Sequence, residues 1–239
     1  MAGLEGDLGF TVELNCSLCA EFQGQPDNLY RELCPNGPSS RIVDESEHLV
    51  AMPSLGQITE GYMLVCTRAH VRRMAHLTKE ELREVEEFSR GVEAVLRTIY
   101  AKPMVAFEHG CGAAPYTAGA CTDHAHLHLV PTDADMLPLL QKFFAWEEVP
   151  SLAKLVDRLS DDQAYLYYMN GKSQRFVTVV SEILPSQFMR QILASTLGRP
   201  DLWDWRVHVG EDRVISAHRK YMVTSSRMNV LAPQSDAST

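Results

Sequence analysis

The longest apolar period in the chain runs through Leu82, Val85, Phe88, Val92, Val95 and Ile99. Steps of three and four residues place these side chains on one face of a helix. Thr78 stands ahead of them with Glu81 three residues on, the pattern of a capping box, and Pro103 punctuates the far end. Upstream, Arg41-Ile42-Val43 and Leu49 to Met52 predict two short strands around the polar turn Asp44 to His48. Gly61 to Cys66 is almost wholly apolar and predicts a central strand. Met104 to Phe107 predicts a fourth strand. A Gly- and Ala-rich loop from Gly110 to Ala120 then leads to a fifth, His124 to Val130, closed by Pro131. This order predicts an α+β fold, an antiparallel sheet with one long helix on a face.

After Pro131 the pattern changes. Met136 to Trp146, Leu152 to Leu159 and Ser186 to Leu197 predict helices, the last ended by Gly198 and Pro200. Ala164 to Met169 and Arg175 to Val180, joined through Asn170-Gly171, predict a hairpin. The expected organisation is one domain over residues 1–132, an α/β extension over 133–231 and a small polar tail over 232–239.

Charge and cysteine usage narrow the classes. The formal net charge is -9, which argues against a nucleic-acid polymer or an anionic membrane as partner. An anionic ligand must therefore meet a local cationic or donor-rich site. Met1 to Thr11 carries Glu5 and Asp7 and no basic run, so no secretory leader is expected there. No apolar stretch is long enough to span a membrane. Six cysteines in this setting suggest a reducing cytoplasm, where close cysteines serve as metal ligands more often than as disulfides.

The most informative segment is His124-Ala125-His126-Leu127-His128-Leu129-Val130. Strand alternation puts the three imidazoles on one face, successive ones roughly 6.6–7 Å apart, with Ala125, Leu127 and Leu129 on the other. Such a row offers a nucleophile or base that is neutral near pH 7, with neighbours able to donate protons or bind metal. A polar-alternating surface strand and a three-histidine metal site are the competing readings. Separately, Cys16-Ser17-Leu18-Cys19 has the spacing with which two thiolates grip one tetrahedral ion.

Together these residues resemble the histidine-triad (HIT) superfamily. The resemblance runs from about Cys16 to Pro131 and rests on the histidine strand, the run Gly61 to Val65 followed by His70, Leu77-Thr78 opening a helix, and the cysteine pair. It implies a HIT-like sheet with one long helix, and a hydrolase that cleaves a nucleotide at its α-phosphate. His126 would be the nucleophile, forming a nucleotidyl-histidine that water cleaves, and His128 would contact phosphate or leaving group. It also implies a structural zinc ion on Cys16, Cys19, His70 and His124, and a homodimer paired through the long helix and a sheet edge.

Transferase and phosphorylase branches of the superfamily carry glutamine where this chain has His128, which favours hydrolysis. A nucleotidyltransferase using the same histidine and a nucleotide sensor with little turnover remain the alternatives. Two positions depart from the family pattern. Ser54 falls where an acidic residue holds the ribose, and Glu108 falls where an asparagine sits near phosphate. Glu108 is therefore expected to hold a sugar hydroxyl or an amine of the leaving group, or else to be paired outside the site. His109 beside the Gly-rich loop, Gly119 and Cys121 within reach of the triad, and Lys172 at the hairpin turn complete the expected substrate-binding set.

Overall fold

The computed structural model describes residues 16–113, 117–120 and 122–231. Its elements in chain order are α1 (Ser17–Phe22), α2 (Leu29–Leu33), β1 (Asp44–Glu45), β2 (Leu49–Pro53), β3 (Met63–Thr67), α3 (Lys79–Tyr100), β4 (Met104–Gly110) and β5 (His126–Pro131). There follow α4 (Leu137–Leu140), β6 (Glu147–Val149), α5 (Leu155–Arg158), β7 (Ala164–Met169), β8 (Arg175–Val180), α6 (Phe188–Thr196) and α7 (Glu211–Leu231). The fold is α+β, as the sequence pattern predicts.

All eight strands form one sheet in the order β1-β2-β3-β5-β4-β7-β8-β6, and every pairing is antiparallel. The hairpin expected in the extension therefore continues the sheet of the first 132 residues, with β7 hydrogen-bonded along the edge of β4. The sheet is buried on both faces. On one face Met63, Val65, Leu127, Leu129, Met104 and Ala106 pack against Leu82, Val85, Val92 and Leu96 of α3 and Ala217 and Tyr221 of α7. On the other, Leu64, Val105, Phe107, Val130 and Tyr168 pack against Phe188, Met189, Ile192 and Leu193 of α6.

Helix α3 begins as its sequence dictates. The Thr78 hydroxyl accepts the Glu81 N–H at 3.2 Å, and the Glu81 carboxylate accepts the Thr78 N–H at 2.7 Å. It ends at Ala101 in the left-handed region, φ 50°.

Several expected boundaries move. The first strand is Asp44–Glu45 rather than Arg41 to Val43, because Arg41 turns inward to a buried ion pair with Glu21. The third strand starts at Met63, two residues late, because Gly61 (φ +87°) belongs to the turn that enters it. Met136 to Trp146 contains one short turn of helix, α4, followed by turns that lead to β6, and Leu152 to Leu159 contains a 3-10 turn and the short α5. His124 and Ala125 precede β5 instead of lying within it. Helix α7, 21 residues long, is absent from the sequence expectation. The 232–239 tail lies outside the described residues.

Candidate active site and metal centre

Alternation along β5 brings His126 and His128 to the α6 face, their ring centroids 4.7 Å apart. The Nδ1 of His126 lies 2.6 Å from the backbone carbonyl oxygen of His124. A carbonyl only accepts, so Nδ1 carries the proton and donates it, which leaves Nε2 unprotonated with its lone pair available. Burial pushes the His126 pKa below its ordinary value, the hydrogen bond to the His124 carbonyl opposes that, and Arg190 and Arg41 lower it further. The ring is therefore neutral, which is the reactive form.

His128 is fixed from several sides. Its Nδ1 is 2.8 Å from the Tyr62 hydroxyl, Phe107 stacks on it at 4.4 Å, and His109 meets its edge at 5.9 Å. Burial first, then His126, His109 and Arg190, hold its pKa well below the usual histidine range. His109 accepts the Met189 N–H on Nε2 at 3.0 Å and is pushed down to about 3, mainly by burial. It forms a layer behind His128 and does not line the cleft.

A narrow cleft opens in front of His126 and His128. Leu18, Tyr30, Leu55, Leu64 and Trp205 give it an apolar wall, and Glu21, Arg41, Ser54, Thr122 and Arg190 give it a polar one. Arg41 is neutralised on the spot. Its Nε and Nη2 bond the two carboxylate oxygens of Glu21 at 2.7 and 2.8 Å, and Nη1 bonds the Pro53 carbonyl at 2.7 Å. Ser54 does line the cleft, but its hydroxyl donates to the Leu55 carbonyl at 2.9 Å, so it has acceptor capacity only.

Four donors gather behind the triad strand. The Sγ of Cys16 is 3.5 Å from His124 Nδ1, and the Sγ of Cys19 is 3.4 Å from His70 Nδ1 and 3.6 Å from His124 Nδ1. All four ligand atoms lie within 4.8 Å of one another. A tetrahedral ion with the usual Zn–S and Zn–N bond lengths sets sulfur and nitrogen about 3.6 Å apart. The separations fit. His124 donates Nε2–H to the Thr67 carbonyl at 2.8 Å, which leaves Nδ1 bare toward the thiols, as a metal-binding imidazole requires.

Glu108 is not at the cleft. Phe107 pairs with His128 across β4 and β5, so the neighbouring Glu108 points to the opposite, α3 face. There it accepts the Met74 N–H at 2.7 Å and the Tyr165 hydroxyl at 2.6 Å. The expected contact with substrate is corrected on that geometry. Gly119 does not line the cleft either. Its carbonyl accepts the Gln187 N–H at 2.6 Å and its φ is +73°, a backbone role at the entrance to α6. Lys172 is exposed in the turn after Met169, at the Pro131 end of the sheet and remote from His126. Cys121 lies outside the described residues. Glu21, Arg41, Trp205 and Arg190 were not expected from sequence, because a single charged or aromatic residue in an ordinary helix or loop carries no local signature.

Residues 37–135 match the family model described as HIT domain. Among solved structures the chain is similar to a HIT family protein from Bacillus anthracis, with 25% identity over 49% of this chain and 72% of that one and a TM-score of 0.39. It is similar to a HIT family member from Bacillus subtilis at 21% identity over the same shares, TM-score 0.36. It is also similar to a yeast Ap4A phosphorylase in complex with AMP, at 12% identity over 81% of each chain, TM-score 0.40. No curated protein sequence matches the chain.

Proposed function

We propose, on the premise that residues 37–135 of this chain are a HIT domain, that the protein is a nucleotide hydrolase acting at the α-phosphate through His126. The observation that carries the reading is the 2.6 Å hydrogen bond from His126 Nδ1 to the His124 carbonyl, which frees Nε2 beside a cleft that also holds His128 and Arg190. In the first step Nε2 attacks the α-phosphorus, an N–P bond forms, and the bond to the leaving group breaks. The leaving group departs with the electron pair and takes a proton from solvent, because burial keeps the His128 ring neutral, and the water that attacks in the second step returns a proton to solvent. In the second step water attacks the same phosphorus and the N–P bond breaks. A nucleoside monophosphate leaves and the neutral imidazole returns. Substrates of this chemistry are dinucleoside polyphosphates, nucleoside phosphoramidates and other nucleotide conjugates.

Zinc on Cys16, Cys19, His70 and His124 completes the reading. A four-donor site has no open position, so the ion would supply folding energy rather than Lewis-acid chemistry. Its residues would tie α1 to the segment that enters β5. No described helix is long and apolar enough to cross a membrane, and thiols placed to bind metal suit a reducing cytoplasm. A homodimer through the long helix and a sheet edge would use the outer strand β1 or β6, since β7 occupies the edge of β4.

The test is a substrate panel with mass detection. Wild-type protein should show a transient nucleotidyl adduct on His126 and release nucleoside monophosphate. His126→Ala should lose at least ~10³-fold in turnover while keeping its fold. Wild-type-like turnover in His126→Ala would overturn the mechanism, and turnover that requires an added acceptor would make the enzyme a transferase.

A further inference from the structure

The cleft has two arginines, and only one has its charge satisfied. Arg41 is saturated by Glu21 and the Pro53 carbonyl. Arg190 is 2% exposed, yet no carboxylate of the described residues lies within ion-pairing distance of it. Its Nε donates to the Trp203 carbonyl at 2.8 Å and its Nη2 to the Gly56 carbonyl at 2.6 Å. Its plane lies over the Tyr62 ring at 5.1 Å, the same tyrosine that bonds His128. Asp204 feels its field but is engaged with Gln187 and the Arg206 N–H.

A guanidinium carries five N–H donors. Here two carbonyls and a ring fix its position without neutralising it. Removing a cation from water without a counter-charge is costly, so a fold that buries one beside a reactive group is built around an anion. The protein as a whole has net charge -9 and gives an anionic ligand no general attraction. The same cleft that contains Arg190 contains His126 and His128.

We infer that Arg190, supplied by α6 from beyond the HIT domain, binds the α-phosphoryl group of the nucleotide over His126, so that the cleft selects nucleotides over nucleosides. This rests on the nucleotide-hydrolase reading and adds to it a residue and a source of selectivity. The two carbonyl bonds hold the fork in place before the ligand arrives, which spares the cost of ordering a long side chain.

Binding of adenosine, guanosine and uridine, each against its 5′-monophosphate and 5′-diphosphate, tests the inference by calorimetry with no turnover required. In wild type the monophosphate should bind at least tenfold tighter than its nucleoside. In Arg190→Gln that ratio should fall by about tenfold or more, the scale of a charge-assisted hydrogen bond, while nucleoside affinity stays within about twofold. An unchanged ratio overturns the inference. So does loss confined to the step from monophosphate to diphosphate, which would assign Arg190 to the leaving group. If Arg190→Gln does not fold, Arg190→Lys decides: a ratio lowered threefold or more supports the inference, and an unchanged one overturns it. A wild-type protein with no preference for any monophosphate would instead overturn the nucleotide reading itself.

Discussion

Replacing Glu108 with glutamine should stabilise the protein in mild alkali and leave it almost unaltered in acid. Glu108 is 2% exposed and touches two donors, the Met74 N–H and the Tyr165 hydroxyl. Burial outweighs those two bonds and the Arg73 charge, and raises its pKa from 4.5 to about 7. A carboxyl whose folded pKa is raised holds its proton more tightly in the folded state. Its contribution to stability is complete below about pH 4.5 and is lost as the pH climbs through 7. At about 1.36 kcal/mol per pKa unit, the wild-type protein should lose roughly 3 kcal/mol between pH 4 and pH 8.5 on this account. Glutamine copies the protonated acid, with one oxygen to accept from Met74 and an amide to donate to the Tyr165 oxygen. The variant lacks the titration. Urea unfolding of both proteins at fixed ionic strength should show a stability gap that opens from near zero at pH 4 to about 3 kcal/mol at pH 8.5, or roughly 6–10 °C in Tm. Metal-linked protons are common to both proteins and cancel in the difference. A gap that does not change with pH would refute the reasoning. Turnover should change by less than about threefold, since Glu108 faces away from His126.

Protein prepared without chelator should contain about one zinc per chain by elemental analysis, and Cys16→Ser or Cys19→Ser should lower Tm at metal loadings where residual chemistry persists. Metal-free protein with an unaltered melt would refute this. Gly119→Ala should cost about 1–3 kcal/mol in denaturant unfolding, because the new Cβ would lie 2.5 Å from the Pro185 carbonyl oxygen at a φ of +73°. A neutral result would mean that the loop relaxes freely.

The parts of the molecule that announce themselves in sequence are those with a local cause. Helix α3 has its cap and apolar face written into Thr78, Glu81 and the stripe from Leu82 to Ile99. The cysteine pair and the histidine strand carry their chemistry in their spacing. What stayed hidden depends on partners distant in sequence. Glu108 was misplaced because its face follows from the register of β4 on β5, which no property of Phe107 to Gly110 states. Helix α7 was missed because Val214, Ala217 and Tyr221 are its buried apolar residues and the rest of its described surface is wet or half-wet. Arg41 and Arg190 read as ordinary surface cations until Glu21, Gly56 and Trp203 fold around them.

The pairing of β7 along β4 also determines how the molecule can be cut. Seven consecutive residues of β4, Met104 to Gly110, are buried, and five of its ladder positions are taken by Tyr165 to Met169. A fragment ending near residue 135 would present that ladder bare and apolar, the template on which edge strands of separate chains associate. Such a fragment should be recovered in aggregates or as a strand-exchanged assembly. A practical minimal unit must therefore extend through Val180 to close the edge, and through Thr196 to roof Phe107 and the histidines.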